Sequence, residues 1–209
     1  ACKRMRVAII SGNVSFYNES NGIPIAPSPV IACLGKLADV KKAITMHFKK
    51  TDSVIFMIGA RQDECGGSVY YQLFNELGAN VPKPDLQEVE RQIAALTDAI
   101  DAGLILAAHD ISDGGIATTL AEMAFGNEIG CLVTIPSPAK LLFSETGGFV
   151  VETLPANASA VMNYFAKYGI EAIEIGRTIS KKRLQISDVI DVDLLRAKEM
   201  WENGLRSKL

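Results

Sequence analysis

The sequence predicts an α+β domain in which helices pack on a layered, mixed or antiparallel sheet. Short apolar runs bounded by glycine and polar loops alternate with longer stretches of helical periodicity, so both element types are present. Their order lacks the strict strand–helix rhythm of a doubly wound parallel sheet. The 209 residues are 48% hydrophobic and 22% charged, a balance that supports a packed core and excludes disordered chains, collagen repeats and disulfide miniproteins.

The elements follow in order. The run Arg6-Val7-Ala8-Ile9-Ile10 reads as an opening strand. It follows a first residue other than methionine with no lead-in, which predicts a domain continuing upstream. Residues 18–29 hold Gly22, Pro24, Pro27 and Pro29, a density that forbids helix and predicts irregular, extended backbone. Residues 30–35, Val-Ile-Ala-Cys-Leu-Gly, do not alternate, so they read as a strand buried on both faces.

A clear strand at 53–58 ends at Gly59, and the loop carrying Gly66-Gly67 leads to a helix through Tyr70, Leu73, Phe74 and Leu77, stopped by Gly78. Asp85 is the expected N-cap of a second helix, with Leu86, Val89, Ile93, Leu96 and Ile100 as its buried stripe and Gly103 as its stop. Residues 104–108 then read as strand, 109–115 as loop, and 116–125 as a helix burying Ile116, Leu120 and Met123 or Ala124. Further strands are expected at 131–135, 148–153, 171–175 and 183–186. Helices are expected at 156–168 and 192–202, the latter burying Leu194, Leu195 and Trp201.

Charge narrows the function classes. Lys plus Arg number 21 against 24 Asp plus Glu, a formal net of −3, and the longest basic cluster, Lys181-Lys182-Arg183, reads as a solvated turn. A nucleic-acid binder needs a basic stripe to displace counterions, and none is visible. No apolar stretch approaches the roughly 18–20 residues of a membrane helix, and the start is no signal peptide. The expectation is a soluble cytoplasmic protein with neither nucleic acid nor membrane as partner. Cys2, Cys33, Cys65 and Cys131 form no CxxC pair and His47 and His109 fall at no zinc-ligand spacing, so free thiols rather than a structural zinc site are expected.

Chemistry is concentrated at strand-to-loop junctions. In Ser11-Gly12-Asn13-Val14-Ser15, Gly12 permits close backbone approach, Asn13 offers an oxygen suited to Mg²⁺ or a ribose, and Ser15 can donate to phosphate or carbonyl. An Asx turn explains the same residues without a ligand. His109-Asp110-Ile111-Ser112-Asp113-Gly114-Gly115 could bind a cation or phosphate, or move a proton. It could equally be structural, with Ser112 or Asp113 as N-cap and Asp110 holding His109. Ser144-Glu145-Thr146-Gly147-Gly148 is a third glycine loop, and Gly66-Gly67 could offer N–H groups to an anion. Neither matches a P-loop or a dinucleotide fingerprint, there is no nucleophile elbow, and Cys65 has no local base. These residues point to anion or nucleotide contact without naming a reaction.

Taken together, Ser11-Gly12-Asn13-Val14-Ser15-Phe16-Tyr17-Asn18-Glu19, Pro27-Ser28-Pro29-Val30, Leu37-Ala38-Asp39-Val40, the stretch from Ala108 to Gly115, Leu120-Ala121-Glu122-Met123-Ala124 and Phe143-Ser144-Glu145 occur in one order and spacing. That combination resembles the C-terminal part of the phosphoribosylformylglycinamidine synthase family, from residue 1 to about 201. The resemblance implies an AIR-synthetase-like C-terminal subdomain at 49–209, preceded at 1–48 by the tail of an AIR-synthetase-like N-terminal subdomain. It implies a carbon–nitrogen ligase of purine biosynthesis that uses ATP, Mg²⁺ and glutamine. As the resemblance implies, ATP would activate the amide oxygen of formylglycinamide ribonucleotide as an iminophosphate, and ammonia would displace phosphate. Gly12 would contact ATP, Asn13 a Mg²⁺, and Ser15 the ribonucleotide. The catalytic residues would belong to the remaining N-terminal part of the synthase, and a glutaminase domain or subunit would supply ammonia. The chain alone would then be inactive, with a structural His109 loop. Where the family often carries Glu-Ser-Gln this chain has Glu145-Thr146-Gly147, so that loop is expected to keep only a packing role. A non-catalytic scaffold or auxiliary nucleotide-binding half within the same superfamily is the competing reading.

Overall fold

The structure is a computed structural model and describes residues 1–14, 18–25, 29–135 and 139–204. The chain divides into two compact units, Ala1–Ala43 and Ile44–Leu209.

The first unit holds little regular structure. A single helical turn, α1 (Cys2–Met5), is followed by a minimal hairpin of β1 (Glu19–Ser20) and β2 (Ile23–Pro24). Its turn is Asn21-Gly22, with φ of 52° and 76°, the doubly left-handed pair that suits the twist of two antiparallel strands. The Asn-Gly signal was available inside a segment expected to be irregular. The strands expected at 6–10 and 30–35 are not formed. Ile9 is 77% and Val30 96% exposed. A strand is held by its ladder partner and a covered face, and no described residue of this unit supplies either to these runs.

The second unit contains β3 (Val54–Ile58), α2 (Val69–Gln72), α3 (Leu86–Asp101), β4 (Ala107–Asp110), α4 (Gly115–Phe125), β5 (Gly130–Val133), β6 (Phe149–Thr153), α5 (Ala158–Lys167), β7 (Ala172–Ile179), β8 (Arg183–Ile186), β9 (Ile190–Asp193) and α6 (Leu194–Glu202). The strands form one seven-stranded sheet in the order β4-β6-β3-β7-β5-β8-β9. Every pairing is antiparallel except β5 with β8. This is the α+β layered, mixed sheet that the sequence predicts.

Alternation along the strands builds two cores. Ile55 and Met57 of β3 and Val150 of β6 join Ile116, Leu120 and Met123 of α4 and Leu194 of α6. On the other face Phe56, Ile58 and Val151 pack with Ala95, Leu96 and Ala99 of α3 and Val161 and Phe165 of α5. The continuous apolar run of β3 follows from this: a strand covered by helices on both faces has no solvent side on which to place polar residues.

Several boundaries move. The helix expected from Tyr70 to Leu77 closes after Gln72, leaving Leu73, Phe74 and Leu77 exposed. In α3 the buried residues are Gln92, Ala95, Leu96 and Ala99, while Ile93 faces outward. Leu96 of the expected stripe is buried and Ile100 packs partly buried against the same core, the small Ala95 and Ala99 filling the rest of the contact. The strand expected at 104–108 lies at Ala107–Asp110, so His109 and Asp110 belong to the ladder rather than to a loop. Strand β9 was not anticipated, and in α6 only Leu194 is buried, Leu195 and Trp201 being exposed. All four cysteines are free, Cys65 and Cys131 buried and Cys2 and Cys33 exposed.

The backbone that leads into β3 is anchored by two buried side chains. Glu152, fully buried on β6, accepts from Lys49 N at 2.7 Å and Lys50 N at 3.0 Å. Thr178 Oγ1 accepts from Ser53 N at 2.9 Å and donates to Lys50 O at 2.7 Å. Removing the Glu152 carboxylate strands two part-buried backbone donors beside a buried strand, at a cost of about 2–3 kcal/mol. Glu152→Ala is therefore expected to lower the midpoint of thermal unfolding by about 5–10 °C for a domain of this size. An unchanged midpoint, read by circular dichroism, contradicts the anchoring role.

Candidate functional site

The ends of β3 and β4 and the start of β6 meet at one edge of the second unit, because Ile58 and Asp110 both pair with Phe149. The loop 144–148 enters there. Ile111 N donates to Gly148 O at 2.8 Å, closing the corner between β4 and β6.

Glu145 organises this edge. Its Oε1 accepts from Val69 N, the first residue of α2, and from Gly114 N, the N-cap of α4, both at 2.9 Å. Helix starts carry unsatisfied N–H groups and partial positive charge, so one carboxylate oxygen satisfies two donors in its most favourable electrostatic setting. Ser112 or Asp113 was expected to cap α4. Instead Gly114 takes φ 75° with no side-chain cap of its own, and the capping group comes from a loop distant in sequence. Gly115, at φ 69°, is needed for the same approach: a Cβ there would sit 2.7 Å from the carbonyls of Leu142 and Ser144.

Arg61 holds the rest of the loop. It is 6% exposed, and its guanidinium donates through Nη1 to Thr146 O and through Nη2 to Gly147 O at 2.8 Å. Burial lowers its pKa to about 10, with the charge of Glu64 opposing that fall. Glu64 in turn accepts from Thr146 Oγ1 at 2.9 Å and from Lys83 N at 3.2 Å.

These groups surround an open cavity of about 540 Å³ formed by Gly59, Gln62 and Glu64 after β3, Lys83, Asp85, Glu88 and Gln92 at the start of α3, and residues 145–147. Its carboxylates are largely engaged by the protein's own donors: Asp85 caps α3 by accepting from Gln87 N at 2.8 Å, and Glu88 accepts from Gln92 Nε2 at 2.9 Å. The wall suits hydrogen bonding to a polar ligand. Among the described residues no group of three or more His, Cys, Asp or Glu side chains is placed to hold a metal.

The remaining sequence candidates fall elsewhere. Gly12 and Asn13 lie in exposed backbone of the first unit, and nothing comes within 4 Å of the position a Cβ at Gly12 would take. Ser15 lies outside the described residues. The Gly66 and Gly67 N–H groups are not free for an anion, since they donate to Asn80 O at 2.8 Å and Leu77 O at 2.6 Å. Burial, and then the charge of Asp63, raises the pKa of the Cys65 thiol, which keeps it protonated and poorly nucleophilic. His109 bridges elements, with Nδ1 3.1 Å from Asp110 Oδ1 and Nε2 3.1 Å from Glu122 Oε2 of α4. Arg61 and Glu64 are given no role by sequence reading, and Glu122 enters there only within a motif of the resemblance. In a stretch such as Arg61-Gln62-Asp63-Glu64 nothing separates a buried guanidinium from a solvated loop, because its acceptors lie 85 and 86 residues away.

The family described as AIR synthase related protein, C-terminal domain, matches residues 50–189, and the chain belongs to it. Among individual relatives, the chain is 38% identical over 213 residues to the phosphoribosylformylglycinamidine synthase subunit PurL of Methanothrix thermoacetophila, a match covering 97% of this chain and 28% of that protein. It is 34% identical over 212 residues to PurL of Nitratiruptor sp., covering 100% of this chain and 29% of the relative. The chain thus spans less than a third of the length of these relatives. Solved structures share the fold: Thermotoga maritima PurL complexed with FGAR has a TM-score of 0.67 at 18% identity, over 76% of this chain and 30% of that one. PurL of the same organism complexed with ATP scores 0.60 at 18% identity, over 76% and 28%. The PurLQS structure from that organism scores 0.62 at 18% identity with the same coverage.

The Glu145 arrangement predicts that Glu145→Ala, which leaves two helix-start N–H groups without their acceptor, costs about 2 kcal/mol. Gly115→Ala is expected to cost more, because backbone carbonyls cannot move aside. Chemical denaturation of the two variants checks the order, and a Glu145→Ala protein as stable as the parent contradicts it.

Proposed function

We propose that this chain is the C-terminal part of a phosphoribosylformylglycinamidine synthase, the purine-biosynthetic carbon–nitrogen ligase that converts formylglycinamide ribonucleotide to its amidine with ATP and glutamine-derived ammonia. The observation that carries the reading is that identity of 38% and 34% to PurL extends over 97% and 100% of the chain, beyond the 50–189 segment common to the wider family. PurL structures complexed with ATP and with FGAR are among its fold neighbours, which supports a nucleotide and that ribonucleotide as ligands. The name PurLQS points to PurL together with further components, in keeping with a glutaminase domain or subunit as partner.

In this reading residues 1–48 are the tail of an N-terminal-like subdomain and 49–209 the C-terminal-like subdomain. Gly12 would let backbone approach ATP, and its surroundings fit, since no described atom occupies the space a side chain would need. Asn13 is exposed and presents a neutral oxygen of the kind Mg²⁺ accepts. Ser15 would contact the ribonucleotide. Mg²⁺–ATP, when bound, would supply the phosphoryl group that turns the amide oxygen into a leaving group. The protein's task is then positioning and charge neutralisation, which dominate phosphoryl transfer. The protein would work in the cytoplasm, and no helix among the described residues is long and apolar enough to cross a membrane.

Assaying the 209-residue chain with ATP, Mg²⁺, ammonia and formylglycinamide ribonucleotide is expected to yield no product, and adding the remainder of the synthase to restore it. Product from the chain alone contradicts the division of the site. In the complete synthase Asn13→Ala is expected to lower turnover about tenfold or more and to raise the Mg²⁺ requirement. Unchanged turnover and Mg²⁺ dependence refute the ligand role.

A further inference from the structure

The aromatic cluster after Ser68 lies apart from the residues to which a role in the proposed reaction is given above. Tyr70 stacks on Phe143 with ring centroids 4.6 Å apart and planes within 7°. Phe74 stands edge-on to the same ring at 5.3 Å and 71°, and Tyr71 lies 6.1 Å away, tilted by 38°. Tyr70, Tyr71, Phe74 and Glu76 line an open notch of about 410 Å³. The stacking on Phe143 fixes the Tyr70 ring, so the notch exists before anything binds. Leu73 and Leu77, each 76% exposed, flank it with apolar surface of the kind that marks a contact site.

The chemistry of the notch selects one kind of occupant. Aromatic rings attract cations to their faces, and Tyr70, Tyr71 and Phe74 group three rings at this one place. Glu76 adds a full negative charge at the rim, and its carboxylate makes no hydrogen bond or ion pair with any described residue. The neighbouring cation, Lys140, is held by Asp63 at 2.5 Å. A second copy of the same notch would bring like charge to like. We propose that this notch receives an arginine or lysine side chain from a partner polypeptide, with the apolar neighbours of that residue seated on Leu73 and Leu77.

The test uses the 209-residue chain and two peptides, acetyl-Leu-Arg-Leu-amide and acetyl-Leu-Gln-Leu-amide, followed through backbone amide shifts in nuclear magnetic resonance. The arginine peptide is expected to shift amides within 69–77 and to bind roughly three- to tenfold more tightly than its glutamine counterpart, the gain expected of one exposed cation–π contact plus one ion pair. Phe74→Leu, which keeps apolar surface, and Glu76→Gln, at an exposed position, are each expected to remove about two- to fivefold of that preference. Both variants leave the Tyr70–Phe143 stack in place, so their folding can be verified from unchanged shifts elsewhere. Equal affinity for the two peptides reduces the surface to a non-selective apolar patch and overturns the proposal. So do shifts mapping outside 69–77, and so does an absence of binding.

Discussion

One carboxylate oxygen sets the geometry of the functional edge. Glu145 Oε1 receives an N–H from the start of α2 and another from the N-cap of α4, and in doing so ties two elements to a loop that precedes β6. Helix α4 begins without a side-chain cap of its own, and in α2 the local cap Ser68 takes Tyr71 N and leaves Val69 N to Glu145, so the tie between the two helix starts is tertiary rather than sequential. Arg61 completes the construction from beneath by holding the carbonyls of Thr146 and Gly147. Burying a guanidinium is costly, and here it fixes two backbone carbonyls while the charge of Glu64 offsets part of that cost. The cavity beside Gly59 and Gln92 inherits its wall from these contacts.

The sequence revealed what local rules determine. Asp85 as the cap of α3, the inward face of α4 and the run of β3 were legible because capping, helical periodicity and two-sided burial each leave a mark within a few residues. The pairing order of the sheet was not legible, nor was β9, whose Ile190-Asp191-Val192-Asp193 sits at the rim of the sheet with Arg183 on Asp191. The apolar stripe assigned to α3 was right at Leu96 and wrong at Ile93, the remaining buried positions being Gln92, Ala95 and Ala99, small or polar residues that periodicity weights too little. At the site, Glu145 was visible as a carboxylate in a glycine loop, but its two donors lie 76 and 31 residues away in sequence. A motif suggests that a group matters without saying which donors it will find.

The two apolar runs at 6–10 and 30–35 show the converse. Their composition is that of strands, yet here they have neither ladder nor cover. Propensity states what a segment can join. The family match begins at residue 50, just after the anchors made by Glu152 and Thr178 start to fix the chain. Membership in the AIR-synthase-related family therefore rests on the unit with the sheet, and the candidate nucleotide and metal ligands Gly12 and Asn13 belong to the other unit.

Native-state hydrogen exchange, resolved at the single amides of Val69 and Gly114, addresses the role of Glu145 most directly. If its carboxylate binds both N–H groups within the folded unit, these two amides exchange as slowly as those of β3 and slow down together. Exchange at either amide approaching the rate of an open loop, with β3 still protected, would mean that the two helix starts are not joined through this side chain.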